Sequence, residues 1–197
     1  MITKELYKEM EEKFGAVSSW AVWSGPYETG KLGTGDMSIF ESENLLDILH
    51  TNYVLVGMNV SGTHTRVDGY EGPWSNFHSD DNKKQQDYKL RYALHDTPVW
   101  GAYITDLIKN YPMLSSSDVK KEIKNNPSIL KNNIESFKKE MEMFNEKPVL
   151  IALGGDVYNY LRSELSDEYE IKNILHYSYY IGPEKYKLRV HEDLGFN

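Results

Sequence analysis

Five short segments of this sequence carry side chains suited to chemistry. Gly57-Met58-Asn59-Val60-Ser61-Gly62 holds two glycines, which permit unusual backbone angles and the close approach of a ligand. Asn59 offers a donor and an acceptor but does not ionise, so it can orient a water and cannot take its proton. The competing reading is a tight strand-to-loop turn held by the Asn. Gly72-Pro73-Trp74-Ser75-Asn76-Phe77-His78 sets two aromatics on a polar, Gly-rich loop, where they stack on a flat ligand or anchor the loop to the core. Thr105-Asp106 presents a carboxyl that can meet a ligand or cap a following helix. Gly154-Gly155-Asp156 turns the chain into a helix. His176-Tyr177-Ser178 offers a histidine that can donate to developing negative charge, or serve structure alone.

These segments need alternating strands and helices to hold them. Tyr53-Val54-Leu55-Val56-Gly57 is a continuous apolar run, the pattern of a strand buried on both faces of a parallel sheet. Val99 to Thr105, Val149 to Leu153 and Glu170 to Leu175 complete a set of four strands. Helices are expected over 3–14, 41–49 with Ser42 as N-cap, 84–94, 106–110 with Asp106 as N-cap, 115–126, 128–145, 156–165, and from Pro183 to about Leu194. In 128–145, Leu130, Ile134, Phe137, Met141 and Phe144 recur at spacings of four and three, one face of a core helix. The alternation predicts one α/β domain over 1–197, in three layers around a mainly parallel four-stranded sheet, with 1–40 as an N-terminal helix and loop extension. In such folds chemistry gathers beyond the carboxyl ends of the strands. Four of the five segments fall there.

Composition narrows the chemistry. The 197 residues contain no cysteine, which excludes a disulfide framework, a thiolate zinc site, an iron–sulfur cluster and a cysteine nucleophile. No apolar run approaches the roughly 18 residues of a membrane span, and the opening residues pattern as a charged helix rather than a signal peptide. A soluble cytoplasmic protein with no membrane partner is expected. The net charge of −8 argues against coating nucleic acid by charge alone. Residues 1–51, however, hold four lysines and nine carboxylates, so a groove built from later residues can be neutral or basic. His64, His78, Asp80 and Asp81 lack metal-ligand spacing, and no metal is expected. Gly30, Gly33 and Gly35 read as a turn, not a dinucleotide loop. Lys120, Lys121 and Lys124 form a small basic cluster, a solvated helix face or a phosphate contact.

Taken in order, the segments resemble the uracil-DNA glycosylase superfamily. Gly57 to Gly62 is similar to the first family motif, Gly-x-Asn-Pro-Gly or -Ser. Trp74 to Phe77 falls where the family places an aromatic against the extruded base. Gly101-Ala102-Tyr103-Ile104-Thr105-Asp106-Leu107-Ile108-Lys109 resembles the segment Val-Tyr-Ile-Thr-Asn-x-Val-Lys, Val149 to Gly155 resembles the strand-Leu-Gly segment, and His176-Tyr177-Ser178 resembles the closing His-Pro-Ser. The likeness runs from about residue 41 to the C-terminus. It implies base flipping and N-glycosidic cleavage by a monomer with DNA as partner and no cofactor. Asn59 would orient the attacking water and His176 would stabilise the departing base. Met58, Trp74, Phe77 and Asp106 would contact the base, and Ser61, Gly62, Gly154, Gly155, Tyr177 and Ser178 the DNA.

Three positions depart from the family pattern. Val60 and Tyr177 stand where prolines are usual, and Asp106 stands where many relatives have a base-reading Asn. An ionised carboxylate only accepts hydrogen bonds. At roughly 4 Å from a departing base anion it opposes departure by about 4 kcal/mol at an effective dielectric near 20, near a thousandfold in rate. Asp106 then acts as the neutral acid, or the preferred base offers more N–H donors, or the chain is not a uracil glycosylase. The alternatives of another class are a nucleic-acid or nucleobase binding module without chemistry, and hydrolysis of a small nucleoside.

Overall fold

Three buried apolar runs become the middle of the sheet. The computed structural model describes residues 2–27, 34–61, 67, 69–79, 86–113 and 116–196. Its strands are β1 (Ser19–Trp20), β2 (His50–Ser61), β3 (Ala102–Met113), β4 (Val149–Leu153) and β5 (Ile171–Ile174). They lie in the order β1-β3-β2-β4-β5. β2 pairs in parallel with both β3 and β4, and β5 pairs in parallel with β4. Only β1 runs antiparallel, with Ser19 opposite Ile104 and Trp20 opposite Tyr103.

The helices are α1 (Lys4–Phe14), α2 (Leu45–Ile48), α3 (Asp87–Leu94), α4 (Ser116–Asn125), α5 (Ser128–Met141), α6 (Gly155–Leu165) and α7 (Pro183–Leu194). Thr3 caps α1 by accepting from the Leu6 N–H at 3.1 Å. Side chains alternate along each strand, and two apolar layers follow. Val54, Val56, Met58, Tyr103 and Leu107 pack with Phe137 and Met141 of α5 and with Val157 and Leu161 of α6. Leu55, Ala102, Ile104 and Ile151 pack with Leu90 and Leu94 of α3 and with Tyr186 and Val190 of α7. No described helix is long and apolar enough to cross a membrane.

Several elements depart from expectation. The sheet has five strands, not four. The added strand is only two residues long, in a stretch that reads as loop, and pairs with a partner more than eighty residues away. Residues 18–23, expected in a loop extension, are fully buried. The helix expected over 106–110 is absent, so Asp106 caps nothing. β3 continues instead through Ile108, paired with Asn59, and Met113, paired with Ser61. Leu107 and Ile108 are buried in that extension, and sheet pairing overrides the local helix-start signal. Pro112 brings no N–H to the ladder, and the register shifts between Asn59 and Ser61. The helix expected over 41–49 resolves into a 3-10 turn, Met37–Glu41, and the four residues of α2. Ser42 ends the 3-10 turn.

This order contains a reversal. The chain leaves β2 for β3 on one side, then crosses to β4 on the other. Neighbouring strands whose connections run opposite ways leave a crevice at their carboxyl ends. Here that crevice lies between the end of β2 and the end of β4, with the end of β5 beside it.

Candidate functional site

Gly57 is the point around which one side of the site closes. It lies opposite Asp106 in the β2–β3 register. A methyl added there would fall on Asp106 Oδ1 and sit 3.3 Å from the Phe77 ring. Only glycine admits both groups. Phe77 is held with φ at 70°, a backbone region costly for a bulky residue.

Asp106 is nearly buried, at 4% exposure. Its Oδ2 accepts from Asn76 Nδ2 at 3.3 Å, and the same amide nitrogen donates to the Val17 carbonyl at 2.6 Å. Burial pushes the Asp106 carboxyl up to about 7, against the opposing pull of Lys109 and of the Asn76 hydrogen bond. Lys109 lies close by but is engaged elsewhere. Its ammonium donates to the Asp106 backbone oxygen and to Glu140 Oε2, both at 2.6 Å. Glu140 Oε1 in turn accepts from Tyr103 at 2.8 Å and Thr105 at 3.0 Å. This buried network braces the middle of β3.

A cavity of about 410 Å3 is lined by Met58, Leu153, Gly154, Gly155, Asp156, Val157, Leu175, His176, Ser178 and Tyr179, and its lining does not include Gly57, Asn59, Phe77 or Asp106. Gly154 has φ of 103°, which lets β4 turn at once into α6 beside His176. His176 Nδ1 accepts from the Ser178 N–H at 3.1 Å and pairs with the Ser178 hydroxyl at 2.8 Å. Burial lowers its imidazole to about 4. The ring is therefore neutral at physiological pH, and with Nδ1 accepting, its proton belongs on Nε2. His176 is a donor waiting for an acceptor. The turn that carries it is tied down from two helices: Tyr186 donates to the Leu175 carbonyl at 2.9 Å and Lys89 to the Tyr179 carbonyl at 2.9 Å.

Comparison with protein-family models, curated proteins and solved structures returns no match for this chain. Its site rests on its own geometry.

Among the expected site residues, Met58, Gly154, Gly155, His176 and Ser178 share the cavity, and Phe77 and Asp106 meet over Gly57. Asn59 is half-buried on β2 and its Nδ2 donates to the Val60 carbonyl at 3.1 Å. Tyr177 is half-buried and stacks on His176 with 4.4 Å between ring centroids. Burial raises its hydroxyl, with smaller contributions from the Asp87 and Asp106 charges. The Ser61 backbone pairs with Met113. Gly62 lies outside the described residues, as do His64, Asp80, Asp81, Gly30 and Gly33.

Trp74 is a correction. It is fully buried, 5.6 Å from the Tyr7 ring and 5.8 Å from the Trp20 ring between centroids. Its backbone N–H donates to the Gly15 carbonyl at 2.7 Å, and the Ser19 hydroxyl donates to the Trp74 carbonyl at 2.6 Å. It anchors the loop to α1 and β1 and cannot stack on a ligand. The same anchor presents Asn76 and Phe77 to the site. Three further residues have roles that local sequence did not assign. Asn76 acts only through an oxygen thirty residues away. Asp87 is wholly buried at the start of α3, and burial pushes it up to about 7. Lys120 of the basic cluster pairs with Asp156 on the cavity rim at 2.9 Å.

Proposed function

We propose that this protein is a DNA glycosylase of the uracil-DNA glycosylase type, hydrolysing the N-glycosidic bond of a base extruded from the helix. One observation carries the reading. Met58 of β2 and the residues that follow β4 and β5, among them Gly154, Gly155, His176 and Ser178, line a cavity at the topological reversal of the sheet; Asp106 and Phe77 meet over Gly57, the residue before Met58, and are not part of that lining. The cavity volume falls within the range of about 300–1,000 Å3 usual for small-molecule sites.

The proposed chemistry follows from residue types. The extruded base stacks on Phe77, with Asp106 facing its polar edge. As the glycosidic bond breaks, electrons move onto the base and the sugar becomes cationic. The neutral His176 donates from Nε2 to the base oxygen where the charge collects. Asn59 orients the water whose oxygen bonds to the sugar carbon. Its amide takes no proton, so that proton passes to solvent or to the departing base. The first turn of α6, from Gly155, offers backbone N–H donors for DNA phosphate, while the Gly154 N–H is held by the Ile174 carbonyl and Ser178 by His176.

Incubation with oligonucleotides containing uracil, hypoxanthine, xanthine or a G·T mismatch tests this. Abasic sites are expected for at least one of them. Their rate of formation is expected to fall about 10²–10³-fold in His176→Ala, the usual cost of one such donor, and to fall in Asn59→Ala. Tight binding without cleavage of any of the four substrates would instead assign a nucleobase-binding module.

A further inference from the structure

Helix α7 is covered on two sides and bare on the third. Tyr186, Val190 and Leu194 are buried in the core. Lys187 and His191 reach α3, the ammonium over the Tyr92 ring and the imidazole against the Ala93 carbonyl. Lys185, Leu188, Arg189 and Glu192 fall on the remaining face, at spacings of three, one and three. They form one wall of a groove of about 530 Å3 that also takes in Leu175, Tyr179 and Ile181, with Asn173 of β5 at its floor. β5 is the last strand of the sheet and pairs with β4 alone among the described residues. Among those residues the exposed large apolar side chains are Tyr179 at 58%, Tyr180 at 98% and Leu188 at 71%. Tyr179 and Leu188 line the groove, and Tyr180 lines an adjoining hollow that shares Ile181 and Lys185 with it. Exposed apolar side chains gathered in one place and rimmed by charge mark an interaction surface.

The charges on the bare face select the partner. It is basic toward the start of the helix, at Lys185, and acidic toward its end, at Glu192, with Leu188 between them. Arg189 is engaged within the helix, by Asp193 at 3.0 Å and Glu192 at 3.6 Å. A polyanion gains little here, because Glu192 and Asp193 balance Lys185 and Arg189. Two copies of the face fit one another in one sense only. Set antiparallel about a two-fold axis between Leu188 and Arg189, Lys185 stands opposite Glu192 of the partner subunit, twice over, and the Leu188 side chains meet at the centre. Set parallel, like charges would face each other at both ends. We propose that this face seats a second copy of the chain, in a two-fold dimer where α7 packs antiparallel on its counterpart, Lys185 pairs with Glu192 of the partner subunit around a Leu188 centre, and the open β5 edge is covered. Such a contact is self-complementary and closes on itself, so it shields a sheet edge without building a filament. The dimer departs from the monomer that the resemblance implies, and it does not rest on the glycosylase reading. Leu175 and Tyr179 line both the groove and the cavity of His176, so the partner covers the outer side of the turn that carries the histidine.

Sedimentation equilibrium of the full chain over a range of concentrations tests this. The wild type is expected to dimerise. Lys185→Glu and Glu192→Lys each set like charges against one another at both symmetric contacts, and each is expected to raise the dissociation constant about tenfold or more. Combining Lys185→Glu with Glu192→Lys restores opposite charges and is expected to return the constant toward the wild-type value. Leu188→Asp puts two carboxylates at the centre and is expected to leave only monomer. All three positions are exposed, so the melting temperatures of the variants, taken where the wild type is monomeric, are expected to match it; this separates lost association from lost fold. A wild type still monomeric at about 1 mM overturns the proposal. So does a dimer that either single charge reversal leaves intact, or a double exchange that associates no better than the single ones. A dimer that behaves as described but releases no base from any oligonucleotide keeps this proposal and removes the glycosylase reading alone.

Discussion

Trp74 and Phe77 share a loop and a left-handed backbone angle of 70°, yet their rings serve different ends. Trp74 has no exposed surface and is wedged among Tyr7 and Trp20, so truncating it opens a large cavity. Trp74→Ala is expected to cost about 3–5 kcal/mol, read by urea denaturation; a loss below about 1 kcal/mol would mean the ring is not a core element. Phe77→Leu keeps apolar bulk over Gly57 but removes the flat face. It is expected to leave the unfolding midpoint within a few degrees of wild type while weakening binding of a base-containing oligonucleotide. His176 makes a separate prediction at this scale. With its folded value near 4 rather than 6.5, the imidazole stays neutral through pH 5. Histidine NMR titration is expected to show no midpoint for it near 6.5.

At the scale of elements, the close approach of β2 and β3 at Gly57 is a packing solution with no tolerance. Gly57→Ala is expected to displace both the Asp106 carboxyl and the Phe77 ring, at a cost of about 1–3 kcal/mol for overpacking. Wild-type stability in that variant would show that the two strands can part there without loss. The bracing of β3 by α5 supplies a second test. Glu140 is 1% exposed and Lys109 12%. Removing one partner of such a pair leaves the other without compensation, typically at about 3–5 kcal/mol. Glu140→Gln is expected to fall at the lower end, since the amide still accepts from Tyr103 and Thr105. The check is a melting temperature beside Glu140→Ala, which should be the worse of the two.

For the whole molecule, the buried Asp87, Asp106 and His78 and the half-buried His176 contribute to the dependence of stability on pH. Asp87 and Asp106 are held at about 7 in the fold, above the 3.8 of the open chain. The folded state therefore keeps protons that the unfolded chain has lost, and their contribution declines as pH rises through 7. His78 and His176 are held at about 4, below 6.5. The unfolded chain binds their protons first, so their contribution is lost as pH falls from 6.5 toward 4. Between about 4 and 6.5 the two effects oppose each other, and above 6.5 only the carboxyls act. Melting temperature is expected to be nearly level from pH 4.5 to 6.5 and to decline toward pH 8. Asp87→Asn is expected to remove part of that decline, stabilising by up to about 4 kcal/mol at pH 8, with little effect near pH 4. A wild-type curve that rises from pH 6.5 to 8 would contradict the burial of both acids. On the glycosylase proposal, the net charge of −8 predicts that DNA is held weakly, measurable as its affinity at a fixed salt concentration.

The central strands were legible because a strand buried on both faces must be apolar throughout, as Tyr53 to Val56 and Val149 to Leu153 are. The end of β4 at Gly154, and the helices over Lys4–Phe14, Gly155–Leu165 and Pro183–Leu194, follow from local rules of capping, glycine and proline. Gly154-Gly155 and His176 could be placed at strand ends from the sequence alone, whereas Gly57 to Ser61 and Thr105-Asp106 lie within β2 and β3. What no local rule contains is the partner. β1 exists because β3 is there to pair with it, and β3 outruns its expected end because β2 does. Trp74 turns inward because α1 and β1 meet it. The sequence names Asp106 and its departure from a base-reading Asn. Only the tertiary structure decides that this carboxyl is stripped of water, given one donor by Asn76 and denied a facing cation. Those three facts depend on chain segments far apart in sequence, and they determine whether the group is an anion or an acid.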